Sequence, residues 1–387
     1  MRDLRSWVLA LVAALAPEVA HAQSVLYSTS GLYPWSGYGG VLTYAGDINL
    51  DGVGDYLTTD RAAEGTTDPT IYVVSGVDGV AIGGLTAIKN IGFGIALDGG
   101  PDIDQDGIAD FFVGSQWGTP GAPGQPPSNI PSAYVYSGAT MQPFFHFKGT
   151  EGGEEFGARV RFLDDLDGDG IPECAVQSRY IQGAPGIKAE VVTIFRGGTG
   201  GLLRTHLSPF GESDFGQDIK SLGDLNGDGI GDYAVGAPRA RKSPQSFEGA
   251  VVIYDGQSGS PLAQHWGAPF SFYGSVLAGI DDVNGDGAND YATNALFSLV
   301  TVSSLTGGVI GQLSPPAAHE FAGYEMPVTD DLDGDGGRDI LIGCQGTLCS
   351  GIPALVAAGS SPLAIQYKFN RPVTHLPSDS LVPNSHA

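Results

Sequence analysis

Carboxylates recur in this chain at a spacing that suits a hard cation. In "GDLNGDGIGD" (223–232), Asp224, Asn226 and Asp228 alternate ahead of Gly229, and Asp232 follows. Neighbouring carboxylates repel at roughly 4 kcal/mol per close pair at an effective dielectric near 20, so a positive charge is expected among them. Five further segments share the form D-x-[DN]-x-D-G-x-x-[DE]: Asp47, Asn49, Asp51 and Asp55; Asp102, Asp104, Asp106 and Asp110; Asp165, Asp167, Asp169 and Glu173; Asp282, Asn284, Asp286 and Asp290; Asp331, Asp333, Asp335 and Asp339. Oxygens at alternating positions of a tight loop, with glycine at position 6 for the sharp turn, are what Ca²⁺ with six to eight oxygen ligands requires. Side chains at positions 1, 3, 5 and 9 would bind, together with the backbone carbonyl of position 7: Val53, Ile108, Ile171, Ile230, Ala288 and Gly337. Those residues are expected to turn their side chains into the protein while the carbonyl faces the ion. Mg²⁺ suits such flexible all-protein cages poorly. The expected cofactor is structural calcium, up to six ions, which would cancel about half of the formal charge of −25.

The first six positions echo an EF-hand loop, but an EF-hand closes with an acid at position 12 and a helix follows. Here the acid comes at position 9 and a short apolar strand follows, such as "DYLTT", "DFFVGS" or "DYAVGAP". Position 4 is Gly168, Gly227, Gly285 or Gly334 in the last four loops but Leu50 and Gln105 in the first two, where a left-handed backbone costs roughly 1 kcal/mol. The first three loops are therefore the ones to inspect for a weak site, the third because Glu173 is longer and follows Pro172.

The loop starts are 55, 63, 59, 58 and 49 residues apart, the period of a whole supersecondary unit. Each loop is preceded by an aromatic and glycine: Tyr38-Gly39, Phe93-Gly94, Phe156-Gly157, Phe215-Gly216, Tyr273-Gly274 and the looser Phe321-Ala322-Gly323. After the first apolar strand come a second, such as "TIYVVSG" or "VVIYDG", and a weaker last one, such as "GLLRTHL". With 60 glycines in 387 residues and almost no helical spacing, the chain is expected to be all-β. Four short antiparallel strands per unit, repeated, predict a β-propeller of six blades, with seven kept open and the acidic loops between strands 1 and 2. The N-terminal "SVLYSTSGLYPW" is expected to complete a blade begun by the C-terminus.

These repeats resemble the FG-GAP (VCBS-like) repeats of the integrin α-subunit N-terminal propeller. "FGQDIKSLGDLNGDGIGDYAVGAPRA" (215–240) carries the resemblance best, and it extends over about residues 36–370. At its place in the repeat, "GAP" stands in full only at Gly236-Ala237-Pro238, the other copies reading "VGS", "TNA" or "IGC". Family propellers commonly have seven blades, against six acidic loops here. The resemblance implies a calcium-bearing scaffold that recognises a ligand, and integrin-like lectins make a glycan ligand reasonable.

Residues 1–22 have a basic start, an apolar stretch too short to span a bilayer and an Ala20-His21-Ala22 ending, the pattern of a secretory signal peptide. The propeller is expected over 23–370 and a disordered tail over 371–387, in a secreted or periplasmic protein without membrane insertion. Its acidity disfavours nucleic acid as a partner. Cys344 and Cys349 flank a short loop and could pair in an oxidising compartment, while Cys174 reads as a small buried apolar residue.

In a propeller, the 1–2 and 3–4 loops share one rim, and the 2–3 loops share the other with the blade-to-blade connections. That second rim carries the variable loops, and Trp117, Tyr180, Arg239, Arg241 and Lys242 are its candidate ligand-binding residues. The basic trio suits a carboxylate or acidic glycan, or serves solubility alone. Trp117 would stack on a sugar ring or pack against proline. The leading reading is a non-catalytic binding or adhesion module for protein or glycan at a cell surface or envelope. The alternative is a carbohydrate-active enzyme, a polysaccharide lyase or hydrolase. No catalytic residue is assigned: His146, His206, His265, His319, His375 and His386 form no recognisable constellation, and no nucleophile elbow, H-E-x-x-H or phosphate loop is present.

Overall fold

The computed structural model describes residues 40–60, 70–86, 92–118, 130–149, 155–179, 189–296, 298–313, 326, 328, 338–343, 353–357 and 364–368. Among them there is no helix, and the strands form six sheets that follow the sequence repeats. Blade 1 comprises Leu42–Gly46, Asp55–Asp60, Thr70–Val74 and Ala81–Thr86; blade 2, Phe93–Gly99, Phe111–Ser115, Ser132–Tyr136 and Pro143–Lys148. Blade 3 comprises Arg159–Phe162, Cys174–Ser178, Val191–Phe195 and Leu202–Leu207; blade 4, Ile219–Gly223, Asp232–Ala237, Ala250–Tyr254 and Pro261–Trp266. Blade 5 comprises Leu277–Ile280, Asp290–Ala295, Ser298–Val302 and Val309–Leu313, and three strands of blade 6 are Asp339–Gly343, Pro353–Ala357 and Ala364–Lys368. Within each sheet every neighbouring pair is antiparallel and the spatial order is the chain order, the up-and-down meander of a propeller blade. Each acidic loop in the five described cases joins the first two strands, as the sequence predicts.

Side-chain alternation explains how the blades stack. The second strand of blade 2 is buried on both faces, so Phe111 packs among residues of blades 1 and 2 while Phe112 packs among those of blades 2 and 3. The core is accordingly a series of seams, each drawing apolar side chains from two successive blades. The aromatic of each described aromatic-glycine pair plugs one seam: Phe93, Phe156, Phe215 and Tyr273 are all buried. The glycine that follows lies in the left-handed region (φ 76 to 85°), and at Gly157 and Gly274 a Cβ would meet a carbonyl of the preceding blade. Fourth strands are mostly exposed or half-buried, as outer edges are, with Phe147 and His265 the buried residues among those of blades 2 to 4.

A buried ion pair ties the first strands together. Arg161 of blade 3 contacts Asp218 at 3.2 Å and donates to the Leu97 carbonyl of blade 2 at 3.2 Å. The other oxygen of Asp218 accepts the Leu277 N–H of blade 5 at 2.9 Å, so one pair spans four blades. Because desolvation offsets most of the Coulomb attraction, such a pair fixes register more than it adds stability.

The segment 24–35, expected to complete a blade, lies outside the described residues, as do Cys344 and Cys349. Cys174 is fully buried, and burial pushes its thiol well above the ordinary value, as fits an inert core residue.

Candidate functional site

Five acidic loops are described, and each is built the same way. The position-1 aspartate turns back on its own loop: Asp224 accepts N–H groups of Gly227 at 2.7 Å, Asp228 at 3.2 Å and Gly229 at 2.8 Å. Asp47, Asp102, Asp165 and Asp282 do the same for positions 5 and 6 of their loops. The Gly229 N–H is the first cause holding the Asp224 carboxyl below its ordinary range. Position-6 glycines have φ of 86 to 93°, the left-handed turn that brings positions 1, 3 and 5 onto one side. Leu50 and Gln105 at position 4 adopt φ of 59 and 60°, the strained conformation that their place in the loop predicts.

Position 9 is different in kind. Asp55, Asp110, Glu173, Asp232 and Asp290 are all essentially buried at the start of the second strand. One oxygen accepts the N–H of position 2, from Ile48 at 2.9 Å, Ile103 at 2.8 Å, Leu166 at 2.6 Å, Leu225 at 2.9 Å and Val283 at 3.0 Å. In the four aspartates the other oxygen reaches the turn between strands 3 and 4, accepting N–H from Gly76, Gly138, Gly256 or Ser304 at 2.8 to 3.4 Å. The acid therefore clips the acidic loop to the neighbouring turn, which sets both on one rim. A Cβ at any of these three glycines would collide with the position-8 carbonyl. Sequence reasoning did not single out these turn glycines, although each follows a Ser or Asp at the end of the third strand.

Glu173 breaks the pattern. Its extra methylene carries Oε1 to a buried position with no hydrogen-bond partner. One carboxylate oxygen from each of Asp165, Asp167, Asp169 and Glu173 lies within 4.8 Å of the others, and Asp102, Asp104 and Asp106 converge likewise. Burial, then the repulsion of Asp167, Asp165 and Asp169, pushes Glu173 up to about 8. Burial pushes Asp110 and Asp290 up to about 6. Among the described residues no positive neighbour keeps these groups ionised, and a buried glutamate with an unpartnered oxygen, converging with three other carboxylates, fits a divalent cation. Arg196 also contacts Asp167 of this loop at 2.8 Å.

The position-7 side chains differ: Ala288 is buried, Ile108 and Ile171 pack on the core, Ile230 is half-buried and Val53 stays 44% exposed. Position 2 anchors the loop more deeply, with Ile48, Ile103 and Leu166 all buried, a role that the apolar residue there could have signalled. In the sixth loop, Asp331, Asp333, Asp335 and Gly337 lie outside the described residues, and Asp339 begins the first described strand of blade 6.

On the opposite rim, Trp117 of blade 2 is 55% exposed, and Tyr180 lies outside the described residues. The basic trio sits two blades away, on blade 4. Arg239 pairs loosely with Asp214 at 3.9 Å, the Arg241 guanidinium lies 4.0 Å from the Phe247 ring centroid, and the Lys242 ammonium lies 5.0 Å from that of Trp266. Phe247, Trp266 and the nearby Phe272 were not foreseen, because they come from separate segments. His206 and His265 occupy matching places on the fourth strands of blades 3 and 4, where blade 2 has Phe147, and His146 lies one residue earlier; all three histidines have a burial-lowered basicity. His206 and His265 bond to tyrosines of the next blade, Tyr233 at 2.6 Å and Tyr291 at 2.9 Å, as seam ties.

Stacked antiparallel blades, seam-plugging aromatic-glycine pairs and acidic loops between strands 1 and 2 define a β-propeller. No family model matches the chain. It is similar to integrin alpha-5 of Xenopus laevis, 26% identical over 291 residues, covering 68% of this chain and 26% of that protein. It is also similar to integrin alpha-7 of Homo sapiens, 31% identical over 236 residues (56% of this chain, 19% of that protein). To integrin alpha-PS2 of Drosophila melanogaster it is 28% identical over 218 residues (51% and 15%). The chain spans about a quarter or less of the length of these curated relatives. Among the described residues no helix is long and apolar enough to cross a membrane.

Proposed function

We propose that this protein is an exported, calcium-stabilised propeller that acts as a non-catalytic binding or adhesion module for protein or glycan at a cell surface or envelope. Residues 1–22 serve as the cleaved signal, 23–370 form the propeller and 371–387 are a tail. Up to six structural Ca²⁺ ions occupy the acidic loops, and neither nucleic acid nor membrane insertion is involved. The observation that carries the reading is the convergence of Asp165, Asp167, Asp169 and Glu173, whose buried Oε1 has no hydrogen-bond partner, in a loop design repeated from blade to blade. Similarity to adhesion receptor subunits supports a recognition role for the other rim. Extracellular modules hold calcium with Kd on the order of 10⁻⁴ to 10⁻³ M, which suits an exported protein.

Native mass spectrometry of the purified chain in CaCl₂ should detect bound calcium, and arrays of matrix proteins and glycans should capture the chain in calcium and not in EDTA. Absence of metal uptake overturns the calcium reading. Depolymerisation of an arrayed polysaccharide overturns the non-catalytic one.

A further inference from the structure

Arg241, Lys242 and three exposed apolar side chains from two other loops meet on the rim of blades 4 and 5. From this juxtaposition we infer a docking surface for a protein segment that combines carboxylates with apolar side chains. The inference rests on the binding-module reading above and narrows its partner chemistry.

The charge argument comes first. The protein has 18 Lys and Arg against 43 Asp and Glu, yet Arg239, Arg241 and Lys242 fall within four positions and are exposed. Among the described residues neither Arg241 nor Lys242 forms an ion pair. Their charged heads rest on rings instead, Arg241 on Phe247 and Lys242 on Trp266. Arg241 Nη1 also donates to the Pro244 carbonyl at 3.3 Å, and a guanidinium has further N–H donors to offer a carboxylate. Elsewhere the acidic surface repels an anionic segment, so the charge pattern directs it to this patch.

The apolar half is held out into water by the backbone. Phe270, Phe272 and Leu296 are 53%, 43% and 50% exposed, and all three have left-handed φ of 63, 51 and 56°. For bulky residues this conformation is uncommon and strained, and their exposure rules out core packing as the compensation. The Phe272 ring stacks on Phe247 at 5.7 Å, continuing the surface that carries Arg241. These loops are fixed to one another beforehand. Leu296 N–H donates to Ser271 at 2.8 Å, Ser271 Oγ donates to the Glu248 carbonyl at 2.6 Å, and the Glu248 carboxylate accepts from Lys242 N–H at 3.0 Å and Ser246 Oγ at 2.6 Å. Pre-ordered loops lower the entropy cost of docking. Aromatic rings beside arginine are the composition of protein interface centres. Phenylalanine and leucine offer nothing to sugar hydroxyls, which favours a peptide segment over an anionic glycan.

The test uses the full chain in CaCl₂ and a labelled peptide alternating Asp with Leu and Phe, read by fluorescence anisotropy. The expected result is saturable binding that weakens as salt rises, weakens roughly tenfold or more in Arg241→Ser and in Phe270→Ser, and is absent for the same peptide with Lys in place of Asp. Both variants are exposed, and their melting curves report that the fold is intact. Equal binding by the variants, no binding of the Asp peptide, or stronger Arg241-dependent binding of a heparin fragment each overturns the inference. If arrayed ligands still bind while the variants have no effect, the module reading stands and this surface falls. If nothing on the arrays binds, the module reading falls with it.

Discussion

The two rims of the propeller are built on opposite plans. On the acidic rim blades 1, 2, 4 and 5 repeat one device, a position-1 carboxylate folded onto its own loop and a buried position-9 carboxylate clipped to the 3–4 turn, and blade 3 keeps all of it but the clip. On the other rim no device recurs. Blade 2 presents Trp117, blade 4 presents three cations on two rings, and the connection to blade 5 presents two strained phenylalanines. The difference fits the roles proposed for the two rims. One small ion of fixed chemistry imposes the same oxygens at the same spacing wherever it binds, whereas a large partner is met once by a surface whose blades contribute unlike parts.

The largest effect that separates the rims should come from chelation. At 1 mM calcium a site with Kd near 10⁻⁴ M contributes about 1.4 kcal/mol, so emptying the five described loops together costs on the order of 7 kcal/mol. Thermal melts in EDTA and in CaCl₂ measure this, and coincident curves would break the comparison outright. Phe215→Ala should come next, at about 3–5 kcal/mol, because it empties the seam between blades 3 and 4 where the ring is fully buried. A seam supports both rims, so its loss should lower the denaturation midpoint about equally with and without calcium.

Repetition also decided what the sequence could reveal. The acidic loops, the strands after them and the aromatic-glycine plugs were legible because each recurs with its period, and even the left-handed backbone of Leu50 and Gln105 followed from their place among glycines. Contacts that cross between segments were not legible. Asp110 reaches Gly138 across 28 residues and Arg161 reaches Asp218 across 57, and no local spacing marks such partners. Glu173 stood out as a longer ligand, but only the buried fold around it leaves its Oε1 unpartnered. The basic trio was visible as charge. Its setting on Phe247, Trp266 and Phe272 depends on how three loops of two blades are tied together.

Acid should attack the seams while chelation attacks one rim. Burial first, then Arg204, lowers His206 from 6.5 to about 4, so the unfolded chain holds a proton that the folded chain lacks between those values. Its stabilising contribution is therefore present above about pH 6.5 and lost as pH falls toward 4. The loss is on the order of 1 kcal/mol once its partial exposure is allowed for. The carboxylates of Asp110 and Asp290, raised to about 6, work the other way in metal-free protein, gaining stability as pH falls through 6. His206→Gln separates the two, since it removes only the histidine component. The difference in stability between wild type and variant, followed from pH 7 to 4 in EDTA, should shrink by that amount, and a constant difference would refute the assignment.

The smallest effect sharpens the comparison most, because one kind of substitution should act differently on the two rims. Gln105→Gly relieves a left-handed residue at a cost of greater freedom in the unfolded chain. Roughly 1 kcal/mol of strain against about 0.4–1 kcal/mol of entropy leaves a gain of a few tenths at most. Its calcium affinity should hold or rise, since Gly168, Gly227 and Gly285 fill this position in later loops with the same handedness. Phe270→Gly relieves the same kind of strain on the other rim and should raise the melting temperature by a similarly small amount, yet weaken the Asp-Leu-Phe peptide. If both glycines stabilise and only the second loses binding, strain on the acidic rim is incidental to its ion, while strain on the opposite rim is retained for recognition.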